Sequence, residues 1–266
     1  MLRSLRVKAQ PGALVLGRWI MLEGSSGCLR HVRCLSRTAS SPTDRVLFDP
    51  TVYIRGGRGW RFVNCDIRSA GAVSALVTRD SKVLFLCTSM GGALQRKYRN
   101  DFDKLFCASE ALTVLGEARV SVEKCSFEDS FGPGASFMGS SVCRVCDSVF
   151  VRTAIGTVFD WETRTSVVST TYMDTYEGAF MNMPGDTNTT VTLLDNLVHG
   201  FVWCTNKRPD KLHIRRNNFN HTFPEQWSYL QEVHGQVECE RQVASTKWVQ
   251  RELPDGLVPL ATDFPY

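Results

Sequence analysis

The stretch FVNCDI at residues 62–67 contains the pattern that determines the fold of this 266-residue chain. An apolar residue is followed three positions later by a small polar residue or a cysteine. A second apolar residue comes two positions after that. The pattern recurs six more times, which indicates a solenoid, as FLCTSM (85–90), VEKCSF (122–127), VCDSVF (145–150), VSTTYM (168–173), LLDNLV (193–198) and IRRNNF (214–219).

The spacing of the repeats indicates coils of short strands. Successive repeats begin 23, 37, 23, 23, 25 and 21 residues apart, and most of these steps are shorter than a βαβ unit of roughly 30 residues. Alternation such as Val120-Ser121-Val122 is typical of strands with one buried face. We therefore predict an all-β chain that forms a right-handed parallel β-helix of about seven coils. A β-sandwich also has alternating strands, but it would not keep one residue class at one position in successive units.

The fourth position of each repeat predicts a ladder of stacked side chains at a tight bend, because equivalent positions of successive coils lie above one another. The predicted ladder consists of Cys65, Thr88, Cys125, Ser148, Thr171, Asn196 and Asn217. A glycine follows many of the repeats and is expected to form the next corner, at Gly71, Gly132, Gly156, Gly178 and Gly200.

The extent of the repeat divides the chain into three parts. Residues 1–45 lack it and are rich in arginine, so we predict a basic, flexible N-terminal arm. Residues 46–223 form the β-helix, and residues 224–266 form a C-terminal tail that caps the last coil, since an open end would expose unpaired strand edges.

The 37-residue step predicts a polar, basic loop inserted near residues 91–107. Insertions in solenoids often lie on the binding face. The candidate protein-contact residues are therefore Arg96, Lys97, Tyr98 and Arg99. A solvated loop without a partner is the alternative interpretation.

The sequence provides no set of residues that we can assign to catalysis, a cofactor or a metal. Cys143 and Cys146 have the spacing of half a zinc site, but no second pair follows and residues three apart in a strand point to opposite faces. The Arg55–Gly59 segment is interpreted as a glycine turn rather than an RNA-binding box, which disfavours a nucleic-acid partner. No apolar run is long enough to span a membrane. The ten cysteines are expected to be reduced and packed.

Carboxylates aligned on one strand face would indicate a polysaccharide-cleaving enzyme. The aspartates of this chain occupy different coil positions, at Asp66, Asp129, Asp147, Asp160, Asp174 and Asp195. We therefore predict a protein that is not an enzyme and has no small-molecule substrate.

Four motifs follow one another along the chain: the segment 52–59, the coil motif 148–156, the later coil 196–200 and the C-terminal segment 249–258. In this order they resemble the adenovirus early region 1B large T antigen and its capsid-borne relative in atadenoviruses. The resemblance implies a β-helix that binds proteins, either as an adaptor targeting host regulatory proteins in the nucleus and cytoplasm, or as a trimeric capsid protein seated among hexons in the virion.

The adaptor role implied by the resemblance includes inhibition of a tumour suppressor and recruitment of a ubiquitin ligase. The chain departs from the mammalian form in two ways. The long acidic N-terminal region is missing, and the cysteine-rich stretch before the C-terminal ending is reduced to Cys239. Both departures count against the ligase-adaptor role.

The composition of the N-terminus leaves a different class of function open. Residues 1–40 are rich in arginine and nearly free of acids, and the segment 33–36 resembles a mitochondrial processing site. The alternative is therefore a structural subunit of a mitochondrial complex that carries a transit peptide.

Overall fold

The chain forms a parallel β-helix, as the repeat predicts. A computed structural model describes residues 4–8, 10, 13–37, 50–70, 72–92, 110–173, 175, 177–182, 188–198, 201–204 and 212–219. These residues contain 24 strands, and every pairing between them is parallel. The strands stack into three faces, which we name A, B and C in the order in which each coil visits them.

Face A is a single nine-stranded sheet. Its strands are β1 (Ser4–Lys8), β4 (Ser26–Arg30), β7 (Arg58–Val63), β10 (Lys82–Leu86), β13 (Arg119–Glu123), β15 (Val142–Cys146), β17 (Arg164–Val168), β20 (Thr190–Leu194) and β23 (Leu212–Arg215).

Faces B and C are joined in a second sheet because two long strands, β14 (Ser126–Phe137) and β16 (Val149–Asp160), run through both. Face B also contains β2 (Leu14–Leu16), β5 (Arg33–Arg37), β8 (Asp66–Ala70), β11 (Ser89–Gly92), β18 (Thr171–Met173), β21 (Leu197–Val198) and β24 (Asn218–Phe219). Face C also contains β3 (Trp19–Met21), β6 (Val52–Arg55), β9 (Ala75–Thr78), β12 (Leu112–Val114), β19 (Glu177–Asn182) and β22 (Phe201–Cys204).

The described residues form nine coils rather than about seven, counted by the strands of face A. The two additional coils come from the region predicted to be a flexible arm. Strand β4 pairs with both β1 and β7, and β5 pairs with both β2 and β8. The prediction of an arm over residues 1–45 is therefore corrected for residues 4–8 and 13–37, which belong to the β-helix.

The repeat was missed in the second coil because its ladder position holds a valine. Val32 is fully buried, and its carbonyl oxygen accepts a hydrogen bond from the amide of Asp66 at 3.0 Å. Leu29 and Cys34 occupy the flanking apolar positions and align with Phe62 and Ile67. The pattern therefore tolerates an apolar residue at the bend.

The core consists of columns of side chains that point inward from the three faces. On face A the column contains Phe62, Phe85, Val122, Val145, Val167 and Leu193, all at most 1% exposed. Aromatic rings stack between coils on face B, with centroids 4.4 Å apart for Phe127 and Phe150 and 4.8 Å apart for Phe150 and Tyr172. The buried hydroxyl of Tyr172 forms a hydrogen bond with Oγ1 of Thr157 at 3.1 Å.

The predicted ladder lies at the corner between faces A and B. Four of its side chains accept a hydrogen bond from the ladder amide of the preceding coil: Cys65 N donates to Thr88 Oγ1 (3.5 Å), Thr88 N to Cys125 Sγ (3.4 Å), Cys125 N to Ser148 Oγ (3.1 Å) and Asn196 N to Asn217 Oδ1 (2.9 Å). At the bend the ladder amide cannot take part in the hydrogen bonds of the sheet, and the side chain of the next coil provides its acceptor instead.

In the seventh coil the ladder residue is Thr170, not Thr171. The amide of Thr170 donates to Asn196 Oδ1 at 2.9 Å, whereas Thr171 begins strand β18 and aligns with Val149. The repeat in this coil starts at Val167, which aligns with Val145. A shift of one residue exchanges the inward and outward faces of a strand, and the buried position of Tyr172 agrees with the corrected register.

The corner between faces A and B is not made by glycine. The residue before each ladder position has a left-handed backbone with φ between 49° and 58°: His31, Asn64, Cys87, Lys124, Asp147, Ser169, Asp195 and Arg216. The glycines were predicted at the following corner, between faces B and C, and there Gly132 and Gly156 lie inside the long strands β14 and β16, and Gly178 lies inside β19. Gly71 and Gly200 lie outside the described residues.

Candidate functional site

The outer side of face A is the candidate functional surface, because its strands carry a segregated positive charge. By sequence, the nine strands of face A contain ten basic residues and one acid, Glu123. The strands of faces B and C contain five basic residues (Arg33, Arg37, Arg55, Arg68, Arg152) and five acids (Asp66, Glu128, Asp129, Asp160, Glu177).

Strand register places the cations of face A in line along the helix axis. Lys82 aligns with Arg58 on one side and with Arg119 on the other. Arg119 aligns with Val142, and Val142 aligns with Arg164. One position further along the outer side, Arg61 and Arg144 belong to the adjacent column. We define the basic strip as these six exposed cations: Arg58, Arg61, Lys82, Arg119, Arg144 and Arg164.

Most cations of the basic strip have no acidic partner among the residues that the structure describes. Arg58 pairs with Asp80 at 2.9 Å. None of the ion pairs found between described residues involves Lys82, Arg119, Arg144 or Arg164. The corner before face A carries the exposed acids Glu117 and Glu162, and the corner after it carries the exposed acids Asp147 and Asp195, so acidic side chains border face A on both sides.

Aliphatic side chains lie beside the basic strip on the same outer side. Leu84 aligns with Arg61 and Ser121, so it lies in the column of Arg144. Val142 is 46% exposed within the line of cations. We define the aliphatic strip as the half-buried outer residues Val63, Leu84, Leu86, Val168 and Leu194. The surface therefore combines positive charge with apolar area.

The polar groups on the outer side of face B are arranged differently, because they neutralise one another. Arg68 contacts Asp66, Ser89 and Glu128, and Arg33 pairs with Asp66 at 3.2 Å. This cluster joins four coils but leaves little uncompensated charge, which indicates a structural role.

A buried ion pair lies where β14 and β16 bend from face B to face C. Arg152 donates from Nε to Asp129 Oδ1 at 2.6 Å and from Nη2 to Asp129 Oδ2 at 3.0 Å. Burial raises the pKa of Asp129, and the hydrogen bonds from Arg152 oppose that shift. Both residues have a left-handed backbone, with φ of 55° and 52°. The pair therefore holds the bend in two successive coils.

Seven cysteines have described side chains; all seven are free, and five of them are buried. Burial raises the pKa of Cys34, Cys125 and Cys143 to about 12. Cys143 points into the core, while Cys146 belongs to the outer column of Leu86 and Glu123, so the two thiols lie on opposite sides of β15 as predicted.

Three further sequence predictions concern the inserted loop and the C-terminal tail, the Arg55–Gly59 segment and the aspartates. The predicted contact residues Arg96, Lys97, Tyr98 and Arg99, like the capping tail 224–266, lie outside the described residues. Gly56 and Gly57 form the corner before β7, in agreement with the interpretation of Arg55–Gly59 as a turn. Asp147 and Asp195 share the corner position between faces A and B, so the prediction that the six aspartates all differ in position is corrected for these two.

In the part of the chain that the structure describes, no group of three or more His, Cys, Asp or Glu residues could hold a metal ion. The same residues include no helix of sufficient length and apolarity to cross a membrane. The charge of face A was not found from the sequence, because its residues alternate along the chain with those of two neutral faces. Only the strand register brings them together.

Comparisons of the chain with known proteins do not assign it to a family. No protein-family model matches it, and no curated protein matches it. Among solved structures it is similar to the surface adhesin PfbA of Streptococcus pneumoniae, with 10% identity, 82% of this chain and 80% of that chain covered and a TM-score of 0.30. A second PfbA structure gives 10% identity, coverages of 81% and 77% and a TM-score of 0.31.

The chain is also similar to QnrB1, a plasmid-mediated fluoroquinolone resistance protein, in the form of a trypsin-treated variant. The identity is 10%, the coverage is 85% of this chain and 100% of that chain, and the TM-score is 0.27. Neither PfbA nor QnrB1 is similar enough for its function to be transferred to this chain.

Proposed function

We propose that the chain is a non-catalytic binding protein whose β-helix presents the outer side of face A to another protein. The observation that carries the proposal is the segregation of charge, with ten basic residues and one acid in the strands of face A against five and five in the other two faces. Long solenoid faces suit large partners because stacked coils are rigid and extended.

The finer form of the proposal is the viral role implied by the resemblance to the adenovirus family. Two of its motifs have structural positions that suit a β-helix family. Segment 52–59 covers β6 and the corner that opens face A, and segment 148–156 runs from the ladder residue Ser148 into β16. The C-terminal segment 249–258 lies outside the described residues. The proposal includes two viral roles, that of a host adaptor and that of a minor capsid component.

The mitochondrial alternative is less compatible with the coils at the N-terminus. Removal of residues up to the segment 33–36 would take away Leu29 and much of β5. That loss would uncover Phe62, which is fully buried and aligned with Leu29. A transit peptide is normally dispensable for the mature fold, so this arrangement favours the binding-protein proposal.

Site-specific photo-crosslinking in cells tests the proposed surface. A photoreactive residue placed at Ser166 or Thr192, on the outer side of face A, is expected to yield discrete protein adducts. The matched control places it at Tyr53, on the outer side of face C. Identical adducts from all three positions, or none from face A, would overturn the proposal.

Mass spectrometry of purified virions separates the two viral roles. Abundant copies in the particle are expected of a capsid component and would exclude a purely early regulatory role. For the mitochondrial alternative, residues 1–45 fused to a fluorescent protein should direct it to mitochondria, and a diffuse or nuclear signal would remove that alternative.

A further inference from the structure

We infer that the partner of face A presents an extended acidic segment, with alternating carboxylate and apolar side chains, that lies along the helix axis over the basic strip. This inference rests on the proposed function and specifies the chemistry of its partner. Four observations carry it: the spacing of the cations, the absence of a described acidic partner for four of them, the aliphatic strip beside them and the length of the strip.

The cations recur along the helix axis, with one or two in each of five successive coils. Arg58 and Arg61 belong to the third coil, Lys82 to the fourth, Arg119 to the fifth, Arg144 to the sixth and Arg164 to the seventh. Adjacent parallel strands lie about 4.8 Å apart, so the strip extends over about 19 Å. The cations therefore form an extended strip over two adjacent columns rather than a compact cluster.

Four of the six cations are available to a ligand, since no described acidic side chain pairs with them. Lys82, Arg119, Arg144 and Arg164 are all exposed, and no ion pair among the described residues includes them. Like charges stacked in neighbouring coils repel one another. A linear anion placed along the strip would relieve this repulsion.

The aliphatic strip favours a polypeptide over a nucleic acid. Leu84, Leu86 and Val168 are half-buried and lie beside the cations, and Val142 interrupts the line of charge with a side chain that is 46% exposed. Protein interfaces place apolar side chains at the centre of a polar rim. Interfaces with nucleic acid are more polar and more uniformly positive, because they contact phosphates.

The length of the strip suits a short extended segment. A chain in extended conformation covers at most about 3.3–3.6 Å per residue, so about six residues span the strip. Alternate side chains of such a segment point to the same side about 6.8 Å apart. Long lysine and arginine side chains can reach carboxylates at this spacing from coils that are about 4.8 Å apart, while the other side chains face the aliphatic strip.

Fluorescence anisotropy with the full-length chain tests the inference. The probe is a labelled peptide of about eight residues that alternates glutamate and leucine, in about 150 mM salt. The face-A variant combines Lys82→Gln, Arg119→Gln, Arg144→Gln and Arg164→Gln. The matched control combines Arg18→Gln, Arg55→Gln, Arg79→Gln and Lys124→Gln, which removes the same charge from exposed positions outside face A.

The peptide is expected to bind the wild-type chain and the matched control with affinities within about twofold, and the face-A variant at least about tenfold more weakly. Circular dichroism of both variants shows whether they keep the fold. Unchanged peptide binding by a folded face-A variant overturns the inference. So does tighter binding of a single-stranded oligonucleotide or of heparin with the same dependence on these four residues.

The two proposals can fail separately. If the peptide does not bind but photo-crosslinks form from Ser166 and Thr192, face A binds a protein of different chemistry and only the inference about the acidic segment fails. If neither is observed, both the inference and the proposed function fail.

Discussion

Arg68 and Glu128 form an ion pair although their strands are not neighbours in the sheet. Strand β11 runs between β8 and β14, and Arg68 Nη2 lies 3.2 Å from Glu128 Oε2 across it. The residue between them is Gly91, which aligns with both. The absence of a side chain at residue 91 lets the two charged groups meet over an intervening coil.

Gly91→Ala should destabilise the chain by about 2–4 kcal/mol. A Cβ at this position would lie only 1.7 Å from the carbonyl oxygen of Glu128, and φ of 147° disfavours a side chain. Urea denaturation measures the loss. Gly24→Ala is the control, because its φ is also positive but a Cβ there would meet nothing within 4 Å. Equal losses at the two positions would contradict the steric argument.

Arg152→Met should cost about 3–5 kcal/mol, because it leaves the buried carboxylate of Asp129 without its cation. Burial already raises the pKa of Asp129. A raised pKa in the folded state means that the folded chain binds the proton more tightly than the unfolded chain. Stability from this group is therefore present at low pH and lost as pH rises through the folded pKa.

Urea denaturation of the Arg152→Met variant should consequently give a smaller loss at about pH 5 than at about pH 8. The double variant with Asp129→Asn is the control, because it contains neither charge. Its stability relative to wild type should change less between the two pH values. A loss in the single variant that does not depend on pH would refute the prediction.

Asn196→Ala should destabilise the chain by about 2–3 kcal/mol, because it leaves buried backbone groups without partners. Asn196 accepts from the amide of Thr170 and donates from Nδ2 to the carbonyl oxygen of Val167, both at 2.9 Å. Thr171→Ala tests the corrected register, since Thr171 lies outside the ladder, and should cost about 0.5 kcal/mol or less. Chemical denaturation compares the two variants, and a larger effect at Thr171 would support the original register.

Leu29→Ala should cost about 2–4 kcal/mol, because Leu29 is fully buried beside Phe62. A flexible N-terminal arm would give almost no effect at this position. Leu14→Ala in the first coil is the matched control, because Leu14 is 51% exposed. Thermal unfolding followed by circular dichroism provides the comparison.

Cys87 should react with iodoacetamide in the native chain, while Cys34, Cys125 and Cys143 should remain unmodified until unfolding. Cys87 is exposed, whereas burial raises the pKa of the other three thiols to about 12 and keeps them protonated. Peptide mass spectrometry after labelling at neutral pH distinguishes the sites. Modification of Cys143 as fast as Cys87 would be incompatible with its position in the core.

The sequence predicted those parts of the fold in which the ladder residue is polar and the step is regular. It missed the second coil because Val32 is apolar, and it misplaced the seventh because both Thr170 and Thr171 match the pattern. The choice between these two threonines required the alignment of Tyr172 with Phe150.

The candidate surface was less accessible to prediction than the fold. Arg119, Arg144 and Arg164 are separated by stretches of mixed charge about one coil long, so no local window shows them as a group. Knowledge of the coil length alone would have aligned them approximately. The exact steps between strands, which differ from coil to coil, were needed to place Val142 rather than Arg144 in their column.

The stacking of coils has a consequence for the order of folding. Each coil pairs only with the coil before and the coil after it, so stability depends mainly on nearest neighbours and structure can propagate from any pair already formed. Strands β14 and β16 make the most extensive pairing, eight aligned residue pairs across faces B and C. We expect folding to nucleate there and to spread toward both termini, with the outermost coils the first to open in hydrogen exchange.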